Sequence, residues 1–434
     1  MQTSKGVPVS RRAIRLTAIC AALLALLAVG TASASAANVY VSKSAPTVVG
    51  GKSCAQPDYS SIQTAIESAA GATVAVCPGT YTEQLAIKGA AKLTAIDGSG
   101  TATVAMPASP AFATDSCARQ VSSEERDEIS ICTTETVSIT GLNVEAEIPL
   151  ETCGGGLDGI FVAGGGTLRA TNLAIIGAGT TKANAKGCQH GIAVLVGSLE
   201  PTQVGHALLT KVAVSGYEKN GPTDVGTGST LSVSSSTVTG EGVSPYIAQN
   251  GVQISFGASG TVSSSTISAN ECSEAGACSA TDLENQATGV LFYGAAAPSR
   301  LLSSAVSGDD IGAYYGSASA TEPARPEVTM SNDLFSNNRY EGLVLEAGKA
   351  SVTGSTINGT GNIGIDLIQS KEQTIASESS ANKTTIEGQS EEAIKVTSDK
   401  SPSDIAGTFK FLNGTLTGNT ANLLNESTNF TVTF

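Results

Sequence analysis

A short apolar strand led by a glycine recurs through the middle of this chain. The copies are Asp158-Gly-Ile-Phe-Val, His190-Gly-Ile-Ala-Val, Asn220-Gly-Pro-Thr-Asp, Asn250-Gly-Val-Gln-Ile and Thr288-Gly-Val-Leu-Phe, then Ile311-Gly-Ala-Tyr-Tyr, Glu341-Gly-Leu-Val-Leu and Ile363-Gly-Ile-Asp-Leu. Glu392-Ala-Ile-Lys-Val is a degenerate ninth copy. The glycines stand 22 to 38 residues apart, so a basic turn of about 22 residues with insertions of variable length accounts for all of them. A unit this short cannot bury its own apolar face and must stack on its neighbours, which makes the chain a solenoid. Residues one and three after the glycine, such as Ile160 and Val162 or Leu343 and Leu345, point inward by strand alternation. Pro222 and Asp224 break that pattern in the third unit and predict a bulge or an altered rung. Each unit carries a second short strand, as in Leu231-Ser-Val-Ser-Ser-Ser-Thr-Val and Thr261-Val-Ser-Ser-Ser-Thr-Ile. The fold class expected from this pattern is all-β.

Ahead of the repeat, Arg11, Arg12 and Arg15 precede an apolar run from Leu16 to Val29 and then the small-residue string ending Ala34-Ser35-Ala36, the pattern of a secretory signal peptide. The run is shorter than the roughly 20 residues a membrane span needs, and no membrane span is expected after cleavage. Removing residues 1–36 leaves eight cysteines, Cys54, Cys77, Cys117, Cys132, Cys153, Cys188, Cys272 and Cys278. An even number in an exported chain reads as disulfides, and pairing of sequence neighbours (54 with 77, 117 with 132, 153 with 188, 272 with 278) is the expectation. A metal site is the rival reading; with no C-x-x-C and only His190 and His206, none is predicted. Loss of the leader's four cations, Lys5, Arg11, Arg12 and Arg15, takes the formal charge from -14 to -18. Such a surface repels nucleic acid and anionic lipid, so no nucleic-acid partner is expected.

The segment SIQTAIESAAGATVAVCPGTYTE, residues 61 to 83, introduces the solenoid. Ile62, Ala65, Ile66 and Ala69 form one apolar helical stripe, with Ser60 placed to cap it and Gly71 to end it. Thr73 to Cys77 is a short β-branched strand stopped by Pro78-Gly79. An amphipathic helix followed by Val74-Ala-Val-Cys-Pro78-Gly79-Thr80-Tyr81-Thr82-Glu83 resembles the entry of the secreted right-handed parallel β-helix proteins, the superfold of pectate lyases and polygalacturonases. The resemblance covers about residues 93 to 400 besides this entry. It implies a right-handed parallel β-helix of roughly ten coils in which the helix covers the first coil. The expected organisation is a signal peptide at 1–36, an N-terminal cap and first coil at 37–92, β-helix repeats at 93–400 and a C-terminal cap at 401–434.

The superfold does not by itself specify an activity. Gly308-Asp309-Asp310 resembles the carboxylate pair of the polygalacturonases and Gln189-His190-Gly191 their histidine segment, though in the opposite order along the chain and without the later R-I-K. Asp309, Asp310 and Asp366 are the catalytic candidates, with turn residues as the competing reading of the first two. Outward positions two after each glycine hold only two charges, Asp366 and Lys395, on adjacent rungs. They do not make a calcium site; no cofactor is evident, and calcium remains open through the lyase resemblance. A polar ridge just before the glycines runs through Gln189 and His190, Lys219 and Asn220, Gln249 and Asn250, Asp310, Tyr340 and Glu341, then Asn362. Its ligand-binding candidates are His190, Lys219, Asn220, Gln249, Asn250 and Glu341, with an ordinary turn ladder as the alternative. The expected function is an exported, extracellular or cell-surface protein that recognises extracellular polysaccharide. Catalysis, as a polysaccharide lyase or glycoside hydrolase, stays open, as does oligomeric state. The alternative is a noncatalytic envelope or adhesion scaffold.

Overall fold

The computed structural model describes residues 38–434, apart from 99, 114–116, 118–124, 150–152, 154, 201–202, 277, 279–285, 317–326, 347, 360, 370–376 and 399–405. The expected signal peptide lies outside the described residues. The chain winds through three parallel sheets in a fixed order, so that each coil gives one strand to each. The first sheet has fourteen strands, from Asn38–Val41 to Phe430–Thr433. The second has twelve, from Leu85–Ile87 to Ala421–Asn425, and the third twelve, from Gly79–Thr82 to Thr415–Thr417. This is a right-handed parallel β-helix.

The repeat glycines belong to the second sheet, and its register corrects the sequence alignment at one unit. Asp158 pairs with Ile192 and Ile160 with Val194, so Gly159 is level with Ala193 and not with Gly191. His190 therefore stands two residues ahead of the column that holds Asn220 and Asn250, which pair with each other. The column itself needs a small residue. A Cβ at Gly251 would lie 2.5 Å from both Ile267 Cγ2 and the Gly289 carbonyl oxygen. Residues one and three past the column, including Ile160, Val162, Leu343 and Leu345, fill the interior as expected. The predicted bulge at Pro222 and Asp224 is absent. Val194 pairs with Pro222, Val196 with Asp224 and Asp224 with Ile254 in unbroken register. Asp224 thus occupies an interior position, fully buried.

The second strand read from the sequence is in fact two, from different sheets, joined at a two-residue corner whose first residue is left-handed. In Leu231–Val238 that residue is Ser235, with φ 51°, between Thr230–Ser234 and Thr237–Ser244. Equivalent left-handed residues in other coils are Asn172, Lys211, Ser264, Ser303, Asn332, Lys383 and Asn413. The next residue forms a buried ladder: Ser265 Oγ accepts the Ser236 N–H (3.1 Å), Ser304 Oγ that of Ser265 (3.2 Å) and Asp333 Oδ1 that of Ser304 (2.9 Å). A turn that would strand a backbone donor on every coil is satisfied by the coil that follows.

Helix α1, Ile62–Ser68, buries Ile62 and Ala65 against the first coil. Its cap is Ser61, not Ser60: Ser61 Oγ accepts the Thr64 N–H at 3.2 Å. Glu83 completes the cap, accepting from Ile62 N (2.9 Å), Gln63 N (3.2 Å) and Ser61 Oγ (2.6 Å). Tyr81 is buried and its hydroxyl donates to the Val41 and Cys77 carbonyls, both at 2.9 Å. The Pro-Gly-Thr-Tyr-Thr-Glu segment therefore fastens the helix to the first rungs. Four disulfides form, Cys54–Cys77, Cys117–Cys132, Cys153–Cys188 and Cys272–Cys278, each joining neighbours in sequence. At the far end, residues expected as a cap extend the coil: Gly407–Leu412, Thr415–Thr417 and Ala421–Asn425 each add a strand to one sheet.

Candidate functional site on the second sheet

The outer face of the second sheet is unlike the other two. Strands of the first sheet such as Thr136–Thr140 and Thr167–Thr171 alternate between buried and solvent-facing residues. In the second sheet Gly156–Ala163 and Asn220–Val225 are buried at every position. In sequence, the insertions that vary the repeat length, residues 106–124, 149–155, 181–191, 273–287, 317–326 and 399–405, each directly precede or follow one of its strands. The opposite corner stays at two residues in coil after coil, from 172–173 to 413–414.

The outward residues begin, at the amino-terminal end, as an apolar floor of Phe161, Leu195 and Val225. They turn polar at Asn220 and Asn250. Asn250 Nδ2 donates to Asn220 Oδ1 at 3.0 Å, and both side chains donate to Gln253 Oε1, at 3.0 and 3.2 Å. Gln253 Nε2 continues the line to Ser255 Oγ at 3.0 Å. Further on, Tyr314 donates to Glu346 Oε2 at 2.7 Å, one strand away. Thr397 then donates to both oxygens of Asp366, at 2.8 and 3.0 Å, and Asp366 is in register with Lys395.

Glu341 stands in the same column as Asn220 and Asn250, one strand before Asp366. It is 6% exposed, and its Oε2 has no hydrogen-bond partner among the described residues. Burial pushes its carboxyl up to about 8, with repulsion from Asp366 adding and Lys395 opposing. Asp366, 4% exposed, is raised by burial to only about 6 because the Thr397 hydrogen bonds and Lys395 favour its charged form. Burial thus raises both carboxyls, Glu341 further than Asp366, and groups held apart in this way suit acid–base chemistry.

The remaining predicted residues lie elsewhere. Asp309 is fully buried; its Oδ1 accepts both the backbone N–H and the Nδ2 of Asn270 at 2.8 Å, and Asn270 Oδ1 in turn accepts from the Tyr217 hydroxyl at 2.5 Å. Burial lifts Asp309 to about 8. Asp310, also fully buried, accepts the N–H groups of Cys272 and Ala287 at 3.0 Å and lies 2.7 Å from Arg339 Nη2. This aspartate pair anchors a turn and the Cys272–Cys278 loop and offers no open carboxylate. His190 Nε2 sits 3.5 Å from Glu218 Oε2, out of contact with solvent, where Glu218 also accepts Thr180 N and Gly187 N. That places His190 in the connection between Cys188 and the strand that starts at Ile192. Lys219 donates to the Ala248 carbonyl at 2.8 Å, and burial lowers its ammonium to about 8. Gln249 is fully buried and bridges the carbonyls of Tyr217 and Glu218 to the N–H of Glu241. Of the predicted ridge, then, Asn220, Asn250 and Glu341 share one column, and Asp366 adjoins it. Tyr314, Glu346, Gln253 and Thr397 were not foreseen as members; their common place, two or four residues past the glycine, was the available signal. Among the described residues no group of three or more His, Cys, Asp or Glu side chains is arranged to hold a metal ion.

No protein-family model and no curated protein sequence matches the chain. Solved structures do. Two structures of the catalytic domain of a GH87 α-1,3-glucanase in complex with nigerose superpose with a TM-score of 0.53, at 12% and 13% identity. They cover 86% and 89% of this chain, and 66% and 67% of their own. The A-module of the mannuronan C-5 epimerase AlgE6 of Azotobacter vinelandii matches over 86% of this chain and 92% of its own, at 15% identity and a TM-score of 0.45. What the glucanase domain and this chain share is the parallel β-helix. At these identities the likeness is one of fold.

Proposed function

We propose that the protein is an exported β-helix that binds an extended glycan along the outer face of the second sheet, from Asn220 to Lys395. The observation that carries this reading is a succession of hydrogen-bonded side chains on the outer face of the second sheet: Asn220, Asn250, Gln253 and Ser255, then Tyr314 with Glu346, then Asp366 with Thr397. Rungs roughly 4.8 Å apart present such groups at a spacing comparable to a sugar ring, so a chain of hydroxyls can be met rung by rung. The glucanase domain of the same fold is described in complex with a disaccharide, nigerose, which supports a sugar on this scaffold. Four disulfides suit an oxidising extracellular compartment.

If the bound glycan is also cleaved, Glu341 is the group that gives a proton and Asp366 the one that takes it. The test uses the disulfide-intact protein against a panel of plant and microbial polysaccharides, with and without calcium, recording retention, reducing ends and unsaturated products. Replacing Asn220 and Asn250 together with alanine removes their mutual hydrogen bond and both donors to the half-buried Gln253 Oε1, so the melting temperature of the variant is measured alongside. Retention should fall about tenfold, the worth of one or two hydrogen bonds. Unchanged retention in a variant that melts normally would refute the reading. The scaffold alternative has its own support, since Asn220 and Asn250 are buried and bind each other across rungs; absence of retention on every glycan would favour it.

A further inference from the structure

The carboxyl-terminal part of this face is acidic, and that bears on which glycan it accepts. Glu341, Glu346 and Asp366 lie on adjacent strands, and Glu391 and Glu426 act on Glu341 and Asp366 through space. Lys395 is the cation in register with them, while the nearby Arg339 is engaged by Asp310 at 2.7 Å. Thr397 and Tyr314 take up oxygens of Asp366 and Glu346. Glu341 Oε2, in contrast, is buried and unpartnered among the described residues, with the Asp366 charge acting on its carboxyl through space. A buried oxygen in that state is stabilised by a partner that reaches it. A ligand hydroxyl or ammonium would supply the donor, and only the ammonium would also offset the surplus negative charge.

We infer that the segment from Glu341 to Lys395 is a subsite for a glycan carrying free amino groups, such as a deacetylated hexosamine polymer, in preference to a polyuronate. This rests on the glycan-binding reading above and adds to it the charge of the ligand. A polyuronate would bring carboxylates against Glu346 and Asp366 and be repelled. An ammonium sugar would be steered by the same field, more strongly at low ionic strength.

The experiment compares the affinity of the intact protein for glucosamine oligomers, for the corresponding N-acetylated oligomers, for neutral glucan oligomers and for oligouronates, at low and at physiological salt. The expected result is tightest binding to the glucosamine oligomers, weakened severalfold by salt and about tenfold by Asp366→Asn. Asp366→Asn keeps the hydrogen bond to Thr397, so its melting temperature serves as the fold control. Binding of glucan or N-acetylated oligomers at least as tightly as glucosamine oligomers would overturn the amino-sugar assignment while leaving the glycan surface standing. So would affinity for oligouronates. Failure of every oligomer to bind would instead overturn the glycan reading itself.

Discussion

Asp224 is the residue whose position most contradicts its chemistry. It stacks between Val196 and Ile254 in the interior, where no side chain hydrogen-bonds its carboxyl among the described residues and only the Val225 N–H favours the charged form. Burial raises its carboxyl to about 8. Its unfolded value is about 3.9, so the folded state holds a proton there that the unfolded state releases. The stability tied to that proton is complete below about pH 4 and is lost as pH climbs toward 8. Asp224→Val, which matches the neighbouring rungs, should therefore stabilise the protein by roughly 1–3 kcal/mol, more at pH 8 than at pH 5. Denaturant titration at both pH values reads this directly; a loss of stability at pH 8 would mean that the carboxyl has a partner it cannot spare. The sequence showed Asp224 as a break in the pattern. Only the register showed that the strand continues straight through it.

At the scale of the element, the two-residue corner between the first and third sheets sets the coil. Ser235, Ser264 and Ser303 hold left-handed φ values of 51°, 49° and 50° and are exposed. A serine there is strained by about 1 kcal/mol, whereas asparagine, found at the same corner in Asn172, Asn332 and Asn413, tolerates the conformation. Ser264→Asn should raise the denaturation midpoint by up to about 1 kcal/mol, and Ser264→Val, branched at Cβ, should lower it by a comparable amount. Equal midpoints for the two variants would show that the corner relaxes out of the left-handed region. Reading Leu231 to Val238 as a single strand missed this corner, because serine has no strong turn signature; the asparagines three coils later carried the better signal. Helix α1 shows the same limit. Its stripe was legible, yet its cap depends on Glu83, a residue twenty positions downstream that only the coil brings back.

Across the whole molecule, five buried carboxyls share one direction of shift. Glu128 is lifted to about 9, Asp224, Asp309 and Glu341 to about 8, and Asp333 to about 7, in every case chiefly by burial. Each group's folded value lies above its unfolded value, so each contributes stability that is present at low pH and lost as pH rises through the folded value. The protein should melt at a higher temperature at pH 5 than at pH 8.5, and a scan showing the reverse order would contradict these burial effects. The repeat of glycine and apolar residues was enough to fix a stacked, parallel, one-dimensional core, because a short unit that cannot bury its own face has only its neighbours to pack on. Cysteine order was enough to pair the disulfides, since each pair lies within one coil or at its insertion. What the sequence could not set was the level of each residue on its neighbour: that Ala193 and not Gly191 lines up with Gly159, that His190 leaves the ridge for a loop, and that Glu341 meets Asp366 while Asp309 turns inward. Strand register shifts by whole residues at almost no local cost, so the contacts between coils decided it, and with it which polar side chains share the outer face of the second sheet.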